Sequence, residues 1–339
     1  MPITAEVQKK IEILQAAIDK DYGKGTIRVL GGNEVANIKR ITTGVPSVDW
    51  AIGGGLPEGR MVEIYGPESS GKTTLCLHCI AEHQKQGGIA AIIDAEHALD
   101  LKYAQNLGVN TNDLIVNQPD NAEEGLDIVE RLCTSGVVSL IVIDSVAALA
   151  PKAEIEGDMG AQLPGLQARL MSQACRKLTA LSSRNNVTII WINQIRYKIG
   201  VMFGSPETTA GGNALKFYCS VRMDIRRRGQ VKVGEEAVAN ETEVKVVKNK
   251  TAPPYRTAEF QIDFGTGVNK VLDTFRIAVQ KGIIDKSGAW FSYKGEKLGQ
   301  GEKNGCDTLR ENPDILAHIT SALNQDIVVD PFEGTGTEE

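Results

Sequence analysis

A glycine-rich loop between a strand-like and a helix-like segment constrains this chain more than any other feature. The loop satisfies the phosphate-binding pattern G-x-x-x-x-G-K-[ST] and consists of Gly66, Pro67, Glu68, Ser69, Ser70, Gly71, Lys72, Thr73 and Thr74. The run 61–65 predicts a strand before it, and residues 73–86 predict a helix after it. The glycines allow loop N–H groups to face phosphate oxygens beside a helix N-terminus. We therefore expect Lys72 to reach the β- and γ-phosphates of a nucleotide and the Thr73 hydroxyl to hold Mg²⁺.

Composition sets wide limits on the class of protein. The 339 residues suffice for one large domain with additions or for two domains. A net charge of -6 does not mark the whole chain as a nucleic-acid binder, but it leaves room for local basic patches. The N-terminus lacks the apolar core of a signal peptide, and no apolar run approaches transmembrane length. We therefore expect a cytoplasmic protein with no membrane partner.

The cysteines are scattered along the chain. They are Cys76, Cys79, Cys133, Cys175, Cys219 and Cys306. Cys76 and Cys79 form a C-x-x-C pair, which could supply half of a zinc site or two buried thiols. Because no second pair appears and this pair lies on the helix after the loop, the pattern favours buried thiols.

The spacing of apolar residues predicts an α/β protein. Residues 4–20 predict a helix with an apolar stripe at Val7, Ile11, Leu14 and Ile18, which either folds back or docks on another subunit. Further strands are predicted at 89–94, 138–144 and 187–192, and further helices at 100–107, 122–134 and 165–183. The continuous apolar strands suit a mostly parallel, twisted sheet between layers of helices.

The second half of the chain has a different pattern. Residues 195–212 are polar and glycine-rich without a clear period, which indicates a long functional or disordered loop. Alternating runs at 218–225, 241–247 and 258–264 predict antiparallel strands with one solvated face. From residue 270 onward, helices at 270–281, 305–311 and 314–324 and a strand near 290–293 predict a small α+β unit.

Polar side chains follow three of the predicted parallel strands. Glu96 follows the second strand, where a carboxylate beside the loop could orient the water that attacks the γ-phosphate, or could instead cap the next helical turn. Asp144 ends an apolar strand about 70 residues after the loop and is expected to help hold Mg²⁺. Gln194 ends the fourth strand, where its amide could sense the γ-phosphate.

Taken together, these motifs resemble the bacterial RecA recombinases from about residue 20 to about residue 300. The stretches that carry the resemblance are the loop 66–74, Ile-Asp-Ala-Glu-His-Ala-Leu-Asp at 93–100, Ala-Glu-Ile-Glu-Gly at 153–157, Asn-Gln-Ile-Arg at 193–196, Gly-Val-Met-Phe-Gly at 200–204 and Gly-Gly-Asn-Ala-Leu-Lys-Phe at 211–217. The resemblance implies a RecA-type phosphate-loop ATPase core. It also implies a DNA-dependent ATPase that forms an ATP-bound helical filament on single-stranded DNA and exchanges strands with homologous double-stranded DNA. The active filament would promote self-cleavage of LexA-type repressors.

The resemblance also implies roles for individual residues in ATP hydrolysis. Glu96 would be the catalytic carboxylate, and Lys72 and Gln194 would act at the γ-phosphate. Asp100 and Tyr103 would contact the adenine, Phe264 would lie near the nucleotide, and Thr73 and Asp144 would hold Mg²⁺. Lys248 and Lys250 would reach the ATP of a neighbouring subunit, although from sequence alone they read as a solvated strand end.

Two loops, at about 157–165 and 195–209, would face DNA in such a filament. The DNA-facing set maps to Arg169, Ser172, Arg176, Arg196, Lys198, Ile199, Gly211, Gly212 and Asn213. Ile199 would be a wedge between base steps or a packing contact within its loop. A further basic set would lie near a secondary DNA-binding surface, or would be an ordinary solvated face; it comprises Arg222, Arg226, Arg227, Arg228 and Lys245.

With this resemblance, four segments are expected. They are an N-terminal amphipathic helix and linker for subunit docking (1–33), the ATPase core (34–269), a small C-terminal domain (270–325) and a short acidic, disordered tail (326–339). Phe264, Leu163, Pro164, Trp191, Tyr197 and Ala210 depart from the family pattern, and they bear on DNA binding and coupling rather than on the reaction class. A ring helicase would need a further domain. A non-hydrolysing switch would lack Glu96 or Lys72, and a nucleotide kinase would have an arginine-bearing lid in place of residues 195–213.

Overall fold

A computed structural model describes residues 4–23, 27, 38–159, 163, 165–198, 200 and 204–329. The chain divides into two units, Met1–Lys39 and Arg40–Glu339. Pro164, Ile199 and the last ten residues of the predicted tail lie outside the described residues, so the expectations placed on them stay predictions.

The described residues of the first unit contain one helix, α1 (Ala5–Tyr22), close to the predicted 4–20. Gly23 follows it with φ of 98°, a conformation that favours glycine and ends the helix. All of α1 is described, and none of its residues is buried; Val7, Ile13 and Leu14 are exposed. An amphipathic helix of this length gains most of its stability from packing of its apolar face.

The second unit holds the remaining elements. Its helices are α2 (Pro46–Ile52), α3 (Lys72–Lys85), α4 (Leu101–Asn106), α5 (Ala122–Thr134), α6 (Lys152–Ile155), α7 (Leu166–Asn185), α8 (Ala214–Tyr218), α9 (Lys270–Gln280), α10 (Gly301–Glu311) and α11 (Pro313–Val329). Its strands are β1 (Arg40–Ile41), β2 (Leu56–Pro57), β3 (Met61–Gly66), β4 (Ala90–Asp94), β5 (Ile115–Asn117), β6 (Leu140–Asp144), β7 (Thr188–Tyr197), β8 (Glu207–Thr209), β9 (Val221–Val233), β10 (Glu236–Asn249), β11 (Thr257–Asp263), β12 (Gly267–Val268), β13 (Asp285–Ser287), β14 (Trp290–Tyr293) and β15 (Glu296–Gln300).

One large sheet organises the second unit, with strands in the order β12-β11-β10-β9-β3-β7-β6-β4-β5. The pairs from β9 through β3 to β5 are parallel, and those from β9 to β12 are antiparallel. Alternate residues of the parallel strands pack into two separate apolar clusters, so that Ile92 faces one cluster and Ile93 the other. Helix α3 covers the first face, and α5 and α7 cover the second. This confirms the α/β fold with a mostly parallel sheet between helices.

The antiparallel strands are longer than predicted. The sequence indicated residues 218–225 and 241–247, whereas β9 and β10 have 13 and 14 residues and form one long hairpin. Gly234, with φ of 64°, occupies the turn between them. The outer half of the hairpin is largely exposed and weakly alternating, so its pairing leaves little trace in the hydrophobic pattern.

The expectation of a long irregular stretch at 195–212 is wrong at both ends. Strand β7 continues to Tyr197 and pairs antiparallel with β8, in the register Ile195↔Thr209 and Tyr197↔Glu207. The backbone N–H and C=O groups of these two polar segments pair with each other, so the strands form without an apolar alternation in the sequence. The second predicted DNA loop therefore leaves the sheet as a short two-stranded ribbon, which is formed by residues 195–197 of β7 and 207–209 of β8.

The C-terminal part has its own core, built from α9, α10, α11 and the sheet β13-β14-β15. Phe275 and Phe291 meet edge to face with ring centroids 4.9 Å apart. Trp50 of α2 packs against this core and against the first face of the large sheet, which makes α2 the link between them. Within the described part of the chain, no helix is both long and apolar enough to cross a membrane.

Candidate nucleotide site and nucleic-acid interface

The glycine-rich loop lines a cavity of about 680 Å³ at the carboxyl end of the parallel strands. Gly66 must lack a side chain, because a Cβ there would lie 2.1 Å from the Ile225 carbonyl oxygen. Gly71, with φ of 94°, precedes α3 and lets the helix start at Lys72. The Ser70 hydroxyl oxygen is buried and has no hydrogen-bond partner among the described residues. An unpartnered buried donor and a helix N-terminus in one cradle suit a bound phosphate.

Lys72 folds over this loop. Its Nζ donates to the Pro67 carbonyl oxygen at 2.7 Å and to that of Gly66 at 3.3 Å. Burial lowers the pKa of the Lys72 ammonium, while Asp144 and Glu96 act against that shift. The lysine is thus held at the loop by carbonyl groups that a phosphate could replace.

Thr73 and Asp144 meet beside the loop, as the sequence predicted for a magnesium site. The Thr73 hydroxyl donates to Asp144 Oδ2 at 2.7 Å. Burial raises the pKa of the Asp144 carboxyl to about 6. One hydroxyl and one carboxylate beside a phosphate cradle are the oxygen donors that Mg²⁺ takes when phosphates and waters complete its shell. The donor set therefore fits the ion.

Glu96 lies in the same cavity and is held by two side chains. Ser145 Oγ donates to Glu96 Oε1 at 2.5 Å, and Gln194 Nε2 donates to the same oxygen at 2.8 Å. The backbone N–H groups of Ala95 and Glu96 donate to the Asp144 carbonyl oxygen, which joins the ends of β4 and β6. These contacts fix the carboxylate toward the cavity, and the role as a helix cap is not what the structure shows. Ser145 was not predicted as a site residue from the sequence.

The three residues expected near the nucleotide base lie outside the lining of this cavity. Asp100 caps α4 by accepting from the Tyr103 N–H, and the Tyr103 hydroxyl lies 3.0 Å from Thr74 Oγ1. Asn106 Nδ2 donates to the carbonyl oxygen of Gly265, next to the half-exposed Phe264. These contacts connect α4 to the glycine-rich loop and to the turn after β11, while the base-binding roles stay predictions.

A second polar cluster is centred on the buried Glu63 and was not predicted from the sequence. Glu63 in the middle of β3 is fully buried and accepts from Asn193 Nδ2 at 2.9 Å and from Arg222 Nε at 2.5 Å. The signal in the sequence is a single acid within an otherwise apolar strand, Met61–Tyr65. A buried carboxylate requires partners, but which residues supply them depends on strand register.

Part of the predicted DNA-binding set is brought together at the start of α7. Arg169, Ser172 and Arg176 have helical spacing on this helix. A Cβ on Gly212 would lie 2.8 Å from Ala168 Cβ, and one on Gly211 would lie 3.2 Å from Met171 Cγ, so the glycine pair packs on the first turns of α7. Arg196 instead lines the nucleotide cavity. Lys198 and Asn213 are exposed at the two sides of the ribbon.

The predicted secondary basic set lies on β9 and β10, and acids accompany it. Arg226 forms hydrogen bonds with both carboxylate oxygens of Glu207 and with Asp224. Arg228 pairs with Glu243, and Arg222 with Glu63. Arg227 and Lys245 are exposed. The pairing of Arg226 ties β9 to the start of β8, a contact that the sequence alone did not reveal.

Lys248 and Lys250 do not line the nucleotide cavity of their own chain. Lys248 Nζ donates to the carbonyl oxygens of Lys216 at 2.6 Å and Phe217 at 2.9 Å, and Lys250 Nζ donates to that of Phe217 at 3.2 Å. Both ammonium groups therefore lie at the carbonyl end of α8, and the Phe217 side chain is exposed.

All six cysteines are free and buried, which confirms the prediction of buried thiols for Cys76 and Cys79. Burial raises the pKa of the Cys76 thiol well above its ordinary value. In the part of the chain that the structure describes, no group of three or more His, Cys, Asp or Glu side chains could hold a metal ion.

Comparison with known proteins covers nearly the whole chain. A family model described as the RecA N-terminal domain matches residues 9–269, and one described as the RecA C-terminal domain matches residues 270–328. The chain is 58% identical to the protein RecA of Delftia acidovorans over 330 residues, 96% of this chain and 90% of that protein. It is 56% identical to RecA of Rhizobium etli over 337 residues, 98% and 93% of the two chains. It is 58% identical to RecA of Campylobacter jejuni over 325 residues, 95% of each. The chain belongs to the RecA family.

Proposed function

We propose that this protein is a recombinase whose hydrolysis of ATP depends on DNA. Membership of the RecA family supports a role in recombination and repair together with ATP binding. The observation that carries the proposal is the position of Glu96, which lies in the cavity of the phosphate loop and is joined by a hydrogen bond to Gln194 at the root of the β7–β8 ribbon. One hydrogen bond therefore joins the cavity of the phosphate loop to the base of the ribbon.

The residues around the cavity would each have a separate role in hydrolysis. The loop N–H groups and Lys72 would bind the phosphates, and Glu96 would orient water for in-line attack on the γ-phosphate and accept its proton. Thr73 and Asp144 would hold Mg²⁺, which supplies charge neutralisation on the phosphates. Asp100, Tyr103 and Phe264 would bind the base.

The coupling to DNA would run through Gln194. In the structure its amide donates to Glu96, and a bound γ-phosphate would offer that amide a competing acceptor. A shift of Gln194 changes the base of the ribbon, because the Gln194 carbonyl oxygen accepts from the Ala210 N–H at 3.3 Å. The glycine pair 211–212 follows directly, so the nucleotide state would set how the loop grips the phosphates of single-stranded DNA.

The assembly that we propose is a helical filament of identical subunits. The N-terminal helix would dock on the adjacent subunit, and Lys248 and Lys250 would reach the neighbour's ATP. The basic set on β9 and β10, with Arg227 and Lys245, would take up double-stranded DNA for strand exchange. In the same state the filament would promote self-cleavage of a LexA-type repressor in a response to DNA damage.

The test is steady-state ATP hydrolysis with and without single-stranded DNA, in the native protein and in Glu96→Gln. We expect DNA to stimulate the native protein and the substitution to lower the stimulated rate by at least about 100-fold, the scale of a lost general base. Glu311→Gln is the matched control, because Glu311 is an exposed acid in the C-terminal part.

Two results would contradict the proposal. Hydrolysis by the native protein that is indifferent to single-stranded DNA would favour a nucleotide-operated switch or a nucleotide kinase. Equal rates for native protein and Glu96→Gln would remove the carboxylate from the reaction. A DNA-stimulated rate would next be followed by strand exchange between a single strand and a homologous duplex.

A further inference from the structure

Glu63 carries a charge at the centre of the large sheet, where burial is unfavourable unless the carboxylate is fully paired. It is 0% exposed, and it lies on β3 three residues before the phosphate loop. Each of its oxygens has a different partner, Asn193 Nδ2 for Oε1 and Arg222 Nε for Oε2. We call these three residues, Glu63, Asn193 and Arg222, the Glu63 ladder.

The ladder crosses three neighbouring strands. Glu63 of β3 is in register with Arg222 of β9, and Tyr65 of β3 is in register with Asn193 of β7. The Arg222 guanidinium also lies 4.8 Å from the centre of the Tyr65 ring, a cation–π contact. The ladder therefore joins the strand that carries the phosphate loop to the strands on both of its sides.

At the β7 end, Asn193 connects the ladder to Gln194, the proposed sensor of the γ-phosphate, and to the ribbon. Its Oδ1 accepts from the Gln194 N–H at 2.8 Å, and its Nδ2 donates to the Ala210 carbonyl oxygen at 3.1 Å as well as to Glu63. Both the oxygen and the NH₂ group of this amide therefore form hydrogen bonds. The backbone of Gln194 and the residue before the glycine pair are held by one side chain, whose orientation Glu63 fixes.

At the β9 end, Arg222 connects the ladder to the lysine pair. Arg222 is opposite Lys248 in the β9–β10 register. Lys248 and Lys250 both donate to the Phe217 carbonyl oxygen at the end of α8. One residue, Asn193, therefore lies between the buried carboxylate and Gln194, and one residue, Arg222, lies between it and Lys248.

We infer that Glu63 is a positioning residue that couples the nucleotide state at Gln194 to the DNA-binding ribbon and to the Lys248–Lys250 pair. This inference rests on the proposed function. Glu63 does not line the nucleotide cavity, so it takes no part in the chemical step. Its carboxylate is suited to this role because it accepts hydrogen bonds from Asn193 and Arg222 at the same time. The two bonds fix the orientation of both donor side chains relative to each other.

Glu63→Gln is the direct test, because it keeps the shape and removes one acceptor. The new amide NH₂ must face a donor, either Asn193 Nδ2 or Arg222 Nε, and one contact of the ladder is lost. We expect the DNA-free hydrolysis rate and the KM for ATP to stay within about twofold of the native values. The stimulation by single-stranded DNA should fall about tenfold, within the usual range of coupling between two sites.

A second substitution tests the ladder as a unit. In the double variant Glu63→Gln with Arg222→Gln, the amide introduced on β3 can donate to the amide oxygen introduced on β9, while its own carbonyl oxygen accepts from Asn193 Nδ2. The contact of Asn193 with the Ala210 carbonyl oxygen is kept. We expect DNA to stimulate the double variant more strongly than Glu63→Gln alone, a non-additive result that loss of packing would not give. Glu241→Gln is the control, because Glu241 pairs with Arg276 outside the ladder.

Hydrogen exchange tests the coupling without DNA. In the native protein, a non-hydrolysable ATP analogue should change the amide exchange of residues 205–213, and in Glu63→Gln that change should be lost while the loop 66–74 still responds. Undiminished stimulation, an equal fall of basal and stimulated rates, or an unchanged exchange response in Glu63→Gln would each overturn the inference. Absent stimulation in the native protein would contradict the proposed function instead, and the exchange experiment would still decide the role of Glu63.

Discussion

Two buried acids, Asp273 and Asp49, are expected to make the stability of this protein depend on pH. Asp273 on α9 is 1% exposed; its Oδ2 accepts from the Ser47 N–H at 2.9 Å, while its Oδ1 has no hydrogen-bond partner in the described part of the chain. Burial raises the pKa of the Asp273 carboxyl to about 7, and that of Asp49 nearby to about 6. Both acids lie around α2, the link between the large sheet and the C-terminal core.

Asp273→Asn should therefore change how stability depends on pH. A raised carboxyl pKa favours the folded protein below the ordinary pKa of 3.8, and the contribution is lost as the pH rises through about 7. At about 1.4 kcal/mol per pKa unit, the loss is at most about 4 kcal/mol. Urea unfolding at pH 4 to 8 should show the variant gaining stability relative to the native protein up to about pH 7 and no further.

The control for this experiment is an exposed acid. Asp307→Asn disrupts a solvent-accessible pair with Arg310 and should shift stability by less than about 1 kcal/mol at any pH. A constant difference between Asp273→Asn and the native protein from pH 4 to 8 would contradict the assignment of the raised pKa to Asp273.

At the scale of elements, the glycine pair 211–212 brings the end of the ribbon into contact with α7. Gly212, with φ of 79°, would place a Cβ 2.8 Å from Ala168 Cβ. An alanine there is disfavoured by the backbone conformation and by the contact with α7. The ribbon would have to move away from the face that carries Arg169 and Ser172.

Gly212→Ala should weaken the binding of single-stranded DNA while leaving nucleotide binding intact. We expect about a tenfold loss of DNA affinity, from roughly 1–2 kcal/mol of backbone strain in the bound geometry, measured by fluorescence anisotropy with the ATP analogue present. Gly234→Ala is the matched control: its φ is 64°, and no described atom lies within 4 Å of its Cβ position. Equal losses in both variants would show that the contact with α7 has no part in DNA binding.

The elements also show what the sequence could predict. The strands 61–66, 90–94 and 140–144 were predictable because they are mostly apolar runs buried on both faces, interrupted in the first strand by Glu63 alone before the loop begins. The meeting of Thr73 with Asp144 and of Glu96 with Gln194 followed, since carboxyl ends of parallel strands share one edge. The short helix α2 was not predicted because its seven residues show no helical period.

Side-chain contacts between strands could not be predicted from the sequence, for a different reason. The pairing of Glu63 with Arg222 and of Arg226 with Glu207 depends on register between segments 159 and 19 residues apart. Each residue alone is compatible with a solvated face or with several partners. Strand β8 likewise exists only through its pairing with β7, and its polar sequence carries no hydrophobic alternation.

At the scale of the whole molecule, the proposed catalytic groups lie at separate places. The phosphate loop and Glu96 line the cavity, whereas Lys248 and Lys250 do not. If the lysines complete the site of a neighbour, the contact between subunits is head to tail and builds a filament rather than a closed dimer. Such an interface predicts that two inactive variants can repair each other.

Glu96→Gln lacks the carboxylate of its own site, and Lys250→Ala lacks the cation given to the next site. Each alone should show little hydrolysis stimulated by DNA. In an equal, randomly mixed filament, about a quarter of the interfaces combine a native Glu96 with a native Lys250, so the mixture should recover about a quarter of the native rate. A mixture of Glu96→Gln with Lys72→Ala should recover nothing, because both defects lie in one site. A rate for the first mixture no higher than the mean of its two components would place Lys250 outside the neighbour's site and would contradict the head-to-tail arrangement.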